Sequence, residues 1–239
     1  MHRLTVRSAT YCQSSRVRPE LNAIDPNNKW LARQARLRLD SEIVRDVGLS
    51  ASGLLNPKIG GPSVYPPQPD GVMTLGQTKR EWMASHGDDR HRRGMYTFFW
   101  RATPHPALMV FDSPDGMSAC TRRPRSNTPL QALTLLNDAA FVEFSQALAA
   151  RVLKSDAGSD GERLERAVRF CLSRQPAPDE RQRLLNLLNK EVAAFEKAPD
   201  EAAALLAKQK DPSLDNKQLA AWTTVSRVLL NLDETITRE

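Results

Sequence analysis

Arg122, Arg123 and Arg125 stand directly upstream of Asn127-Thr128-Pro129, a helix start that combines a capping side chain with proline in the first turn. The first N–H groups of a helix have no partner inside it, and with the helix dipole they favour an anion. Guanidinium forks add bidentate donors for carboxylate, sulfate or phosphate. The chemistry this spacing describes is recognition of negative charge, with Asn127 at the edge of the group. The competing reading pairs the same arginines with acids of the chain itself, such as Asp112, Asp115 or Asp138, so that they knit the loop to the helix.

A second set has the types for acid–base work. His105 in TPHP precedes Asp112 and Asp115 in FDSPD, joining an imidazole to paired carboxylates. Two carboxylates cleave a glycoside when they stand roughly 5–10 Å apart. Sequence spacing does not set that distance, and Asp-Ser-Pro is also an Asx-turn signal. His86, Asp88, Asp89 and His91 in HGDDRH resemble metal ligands by type, but the spacing fits neither zinc nor calcium, so a solvated loop and no metal are expected. GxSxG, GxxxxGK and GxGxxG are all absent. Cys12, Cys120 and Cys171 form no CxxC, which excludes haem attachment in this chain. They read as small buried hydrophobes, or as one disulfide and a leftover thiol in an exported protein. Tyr65, Phe98, Phe99 and Trp100 suit stacking on sugars or bases and equally suit a loop anchor. No recognition-helix unit or zinc module is evident, so nucleic acid is not an expected partner.

Charge is divided along the chain. The net charge is +6, yet residues 1–126 hold 19 Lys+Arg against 11 Asp+Glu, and residues 127–239 hold 15 against 17. A surface with such an excess favours polyanions: acidic polysaccharide, nucleic acid or anionic lipid. At 239 residues with 40% hydrophobic content, the chain buries a core without staples. No apolar run approaches the roughly 20 residues that cross a bilayer. The first residues lack an apolar signal core of about 7–15 residues, so the chain is either cytoplasmic or missing its true start.

The elements that must position these groups are helical. A short helix is expected over His2–Tyr11 and another over Asn28–Leu39, capped by Asn27 or Asn28. After Asp40, Ile43, Val47, Ser50 or Ala51, and Leu54 recur at helical spacing, and the helix stops near Asn56-Pro57. From there to about Gly94, repeated glycine and proline make a long loop, a fair place for function. Met95–Trp100 reads as a strand or a helical turn. One central, buried helix runs from Pro129 to about Leu153 through Leu130, Leu133, Leu136, Ala140, Phe144 and Leu148. Amphipathic helices follow over Arg163–Arg174 and Pro178–Phe195, broken at Gln175-Pro176, then an exposed helix over Ala198–Lys210. The last helix carries Trp222, Val225, Leu229, Leu232 and Ile236 as a seam, packed on the helix from Pro129 or on another chain. The expected fold is mainly α: one helical domain over 1–239 with long Pro/Gly/Arg-rich central loops and at most a short strand pair. Residues 1–126 form a basic helix-loop half and residues 127–239 a helical bundle half.

Read together, HRLTVRSATYCQSS, RLRLDSEIVRDVGLSASGLL, GGPSVYPPQPDGV, FFWRATPHPALMVFDSPD, CTRRPRSNTPLQALTLLNDAAFVE, RFCLSRQPAPDE and AAWTTVSRVLLNLDETITRE resemble the domain of unknown function 1553 family, the C-terminal domain of large planctomycete proteins. The resemblance covers nearly the whole chain. It implies an upstream cytochrome-c-like domain, a second uncharacterised domain and often a signal peptide. The parent protein is then exported, haem belongs to the upstream domain and not to this chain, and the chain lacks the family domain's N-terminal segment. The sequence departs from the family at His91, where an aromatic residue is usual, which weakens the metal reading of HGDDRH. The family supplies no catalytic residues. It gives weight to Arg93, Arg101, His105, Asp112, Arg122, Arg123, Arg125 and Asn127 as a shared patch, and its setting suggests acidic or sulfated polysaccharide. The expected function is a binding or docking module for such a glycan or for the cytochrome-c-like domain. The alternative is a carbohydrate-acting hydrolase or a redox enzyme coupled to that domain.

Overall fold

Alanine, phenylalanine, leucine and valine recur so densely over Ala139–Leu153 (α5) that this helix can only be a core element. Ala140, Phe141, Phe144, Leu148, Ala149 and Val152 are all buried along it. In the computed structural model, which describes residues 1–21, 23–75, 80–206 and 211–238, the other helices gather around α5. In chain order they are α1 (His2–Val6), α2 (Ser41–Ser52), α3 (Pro106–Val110), α4 (Pro129–Asn137), α6 (Asp160–Leu172), α7 (Pro178–Lys197), α8 (Pro199–Leu205) and α9 (Asn216–Leu230). Leu37–Arg38 (β1) pairs antiparallel with Thr237–Arg238 (β2), Leu37 opposite Arg238, in the one sheet among the described residues. The fold is mainly α, as the sequence periodicity predicts.

α9 lies against α5 and α7, and α2 closes the other side of α5. Trp222, Val225 and Leu229 of the predicted seam are fully buried, each contributing about 1.5–3 kcal/mol relative to exposure. The seam packs within the chain. Ile236 reaches the same core from a short 3₁₀ turn over Asp233–Ile236, beyond the end of α9. Carboxylates start the helices: Asp215 accepts from the Lys217 and Gln218 amides at α9, and Asp138 from the Ala140 amide at α5. Arginines finish them. Arg151 donates to the Ser50 and Ala51 carbonyls at the end of α2, and Arg227 to the Leu136 carbonyl at the end of α4.

Several expected elements take a different form. The single central helix is two, α4 and α5, because Asp138 leaves helical geometry (φ −63, ψ 138) to cap α5. As a result Leu130 and Leu133 on α4 are 57% and 55% exposed. No helix forms over Asn28–Leu39. Asp25 takes the Lys29 and Trp30 amides, Asn28 bonds the Arg33 backbone, and Asn28 and Leu31 both sit at φ 53. Short polar side chains there compete with the helix for backbone groups. The first helix ends at Val6 and not at Tyr11. The helix expected over Ala198–Lys210 is Pro199–Leu205, with Ala202 and Leu206 buried instead of exposed; residues 207–210 lie outside the described residues. In Met95–Trp100, a 3₁₀ turn over Gly94–Tyr96 gives way to extended Thr97 and Phe98, which bridge to Val64. All three cysteines are free; Cys12 and Cys120 are exposed, and burial pushes the Cys171 thiol up to about 12.

The long loop is organised by one side chain. Arg92 is 1% exposed, donates to the carbonyls of Pro62 (2.9 Å), Lys58 (3.4 Å) and Gly60, and lies over the Tyr96 ring at 3.8 Å. Its neighbour Gly94 presses on α2 so closely that a Cβ would meet the Glu42 carbonyl oxygen at 2.6 Å. Arg92→Met leaves three carbonyls without their donor and is expected to lower the unfolding free energy by about 3 kcal/mol or more. Chemical denaturation checks this, with Arg92→Lys recovering only part of the loss.

Candidate anion-binding site

The arginine loop is held shut at its neck. Asp112, at φ 62, turns the chain after α3, and its carboxylate accepts from the Ser126 amide at 2.7 Å and from the Ser126 hydroxyl at 2.8 and 2.9 Å. Gln131, buried on α4, donates to Ser126 Oγ and to the Val110 carbonyl, both at 3.0 Å. The clamp brings residue 112 against residue 126 and projects the segment between them. Within that segment Asp115 accepts from the Met117 amide at 2.9 Å, an Asx turn.

The three arginines have different surroundings. Arg123 makes a bidentate pair with Glu42 in the first turn of α2, at 2.6 and 3.1 Å. Burial pushes Glu42 up, but the hydrogen bonds from Arg123, Ser41 and the backbone, with the Arg123 charge, together hold the carboxyl below its ordinary range. Arg125 stands 3.9 Å from Asp40, both well exposed. Arg122 is exposed and has no hydrogen bond or ion pair among the described residues. Together with Asp40 and Pro124 they line an open depression of about 580 Å³. Thr128 caps α4 without a side-chain hydrogen bond, and Asn127 is exposed beside it. Arg93 lies outside this depression, along α2, where its charge acts on Asp46, whose carboxylate accepts from the Gly94 amide at 2.6 Å. Arg101 is also outside, its stem near Gly116 and beside Phe99.

The acid–base set does not share hydrogen bonds. His105 is 4% exposed at the start of α3, and its Nε2 meets the Pro67 carbonyl at 3.0 Å. Burial lowers its pKa to about 4. Asp112 is taken up by Ser126 and Asp115 by its own turn. Phe98 stacks on Tyr65, centroids 5.1 Å apart, and meets Trp100 edge-on at 4.9 Å, so these rings anchor the loop.

HGDDRH has a fastening role that the sequence reading missed. Arg90 Nε and Nη2 and His91 Nε2 converge on Glu143 of α5, at 2.6–3.2 Å for Arg90 and 2.8 Å for His91. Burial raises the Glu143 pKa, but the His91 and Arg90 hydrogen bonds dominate and bring it to about 2. The available signal was a lone carboxylate inside the apolar run AAFVEFSQAL, which has to find a cation. His86 and Arg90 also border a cleft of about 740 Å³ between the 67–70 loop and α5 and α8. Among the described residues no three His, Cys, Asp or Glu side chains are grouped to hold a metal.

Two windows of acid destabilisation follow. The unfolded chain protonates His105 near its ordinary 6.5 and the folded chain only near about 4, so stability falls as pH drops from 6.5 towards 4. Glu143 stabilises above its ordinary 4.5, and that contribution is lost as pH falls towards about 2. In denaturant unfolding across pH 7 to 2, His105→Phe should flatten the upper limb. Glu143→Gln should flatten the lower one while costing about 3 kcal/mol at neutral pH, since it strips Arg90 of its partner.

No helix among the described residues is long and apolar enough to cross a membrane. No curated protein and no solved structure matches the chain. The family model described as PSD1, a protein of unknown function (DUF1553), matches residues 1–188, which take in the clamped arginine loop, the Glu143 fastening and the helices up to the middle of α7. The chain belongs to the PSD1 (DUF1553) family.

Proposed function

We propose that the chain is a binding or docking module whose clamped loop presents Arg122, Arg123 and Arg125 to an anionic partner, an acidic or sulfated polysaccharide or the acidic face of a neighbouring domain. The observation that carries this reading is Arg122, exposed and unpartnered among the described residues, beside Arg125 at the 3.9 Å limit of an ion pair. A loop meant only as internal mortar would spend these charges on its own acids, as it does with Arg123. The Asp112–Ser126–Gln131 clamp supports the reading further, because a preordered loop loses less entropy on binding. Residues 1–239 act as one unit in this reading, the basic half presenting the site and the helical half carrying it. The family resemblance supports reading that unit as part of an exported planctomycete protein, with an upstream cytochrome-c-like domain as the candidate docking partner. The hydrolase or redox alternative ranks second, since His105 and Asp112 would first have to leave the bonds they make.

Binding to dextran sulfate, followed by calorimetry at low ionic strength, is expected for the full chain and should weaken as salt rises. Arg122→Ala with Arg125→Ala should reduce the affinity about tenfold without changing thermal stability. A full chain that ignores dextran sulfate at low salt removes the polysaccharide version.

A further inference from the structure

A small, largely enclosed chamber lies between α2, α3, α5 and the segment after the Gly94–Tyr96 turn. Its walls are mostly apolar, formed by Val44, Leu108, Phe111, Ala140, Phe141 and Phe144. Three further lining residues, Arg45, Thr97 and His105, each carry a buried polar atom without a hydrogen-bond partner: Arg45 Nε, Thr97 Oγ1 and His105 Nδ1. Arg45 is 8% and His105 4% exposed, so bulk solvent does not satisfy them. An unsatisfied buried polar atom costs about 1–3 kcal/mol, and three of them around one chamber form a concentrated debt.

Their chemistry is complementary. His105 Nε2 faces the Pro67 carbonyl, which can only accept, so Nε2 carries the proton and Nδ1 is left as an acceptor. Arg45 Nε–H is a donor, and its Nη2 is already spent on the Arg90 carbonyl at 2.8 Å. Thr97 Oγ1 both donates and accepts. Arg45 and His105 line the same chamber, from α2 and from the start of α3. The chamber leaves about 10 Å³ for the centre of a water-sized molecule, close to the roughly 10–15 Å³ that one water requires.

We propose that this chamber is a binding site for a single water molecule, which accepts from Arg45 Nε–H, donates to His105 Nδ1 and takes Thr97 Oγ1 as its third partner. Three hydrogen bonds are the usual complement of a buried water. The water joins α2, the turn after Gly94 and the start of α3, and so completes the polar web between the loop half and the helices. The site is independent of the anion reading and survives its failure.

The test is a crystal structure at neutral pH and about 1.8 Å, paired with ¹⁷O magnetic relaxation dispersion in solution, which counts long-lived internal waters. A density peak within hydrogen-bonding distance of all three atoms is expected, together with a dispersion step that shrinks in Thr97→Val, which keeps the shape and removes the hydroxyl. His105→Phe should remove this water's share of the step, and Thr97→Val keeps the test open if His105→Phe does not fold. A dry chamber in the crystal, or a dispersion step of equal size in the wild type and in Thr97→Val, overturns the proposal.

Discussion

The union of Glu143 with Arg90 and His91 is the fastening on which the loop half depends. The described residues of 57–101 have almost no regular backbone pairing of their own, only short 3₁₀ turns and isolated bridges to Asn56 and Val64. Such a segment retains its conformational entropy unless side chains fix it. One carboxylate, carried on the most deeply packed helix, draws in both the Arg90 and His91 side chains at the point where the loop returns towards the core. From there the fixation spreads along the chain. Arg45 of α2 takes the Arg90 carbonyl, Arg92 gathers the 58–62 carbonyls, and Gly94 fits flush against the first turn of α2. Each step uses the many donors of a guanidinium to satisfy oxygens that a helix or sheet would otherwise have paired.

That architecture changes the meaning of the basic excess in the first half. Arg45, Arg90, Arg92 and Arg123 are committed to carbonyls or carboxylates of the same chain, so much of the positive charge is structural. Among the described residues Arg92 has no acid for a partner and instead rests on three carbonyl dipoles and a tyrosine ring. Arg122, and Arg125 at 3.9 Å from Asp40, lie outside those commitments, in the loop between Asp112 and Ser126. Two sets that sequence spacing suggests for catalysis or metal therefore serve as structural fastenings: Asp112 closes the arginine loop on Ser126, and Arg90 with His91 ties the chain to α5.

Residues 139–230 were legible because their burial follows the helical period: α5, α6, α7 and α9 fall near the predicted positions, and the Trp222 seam packs as its spacing requires. Misreadings cluster where a short polar side chain overrides propensity. Asp138 breaks an apolar run to cap the following helix, and Asp25 with Asn28 converts a predicted helix into turns. The loop half was illegible for another reason. Its order comes from arginine contacts spanning from about 30 to more than 50 residues, as between Arg92 and Gly60 or Arg90 and Glu143, and no local periodicity encodes those. The arginine group itself was readable as a cluster, but its division into paired Arg123 and unpaired Arg122 depends on α2 lying alongside.

The corner at Asp138 separates the direction of α4, and of the loop that leads into it, from that of α5. Because α4 and α5 meet through a single non-helical residue, with Arg227 of α9 gripping the last turn of α4, the loop ahead of α4 is steered by that joint and not by the axis of the core helix. Each residue of a helix advances about 100° around its axis. Shortening or lengthening α4 by one position would turn the loop against its Asp112 clamp and its Arg123–Glu42 pair, while the buried face of α5 stayed where it is.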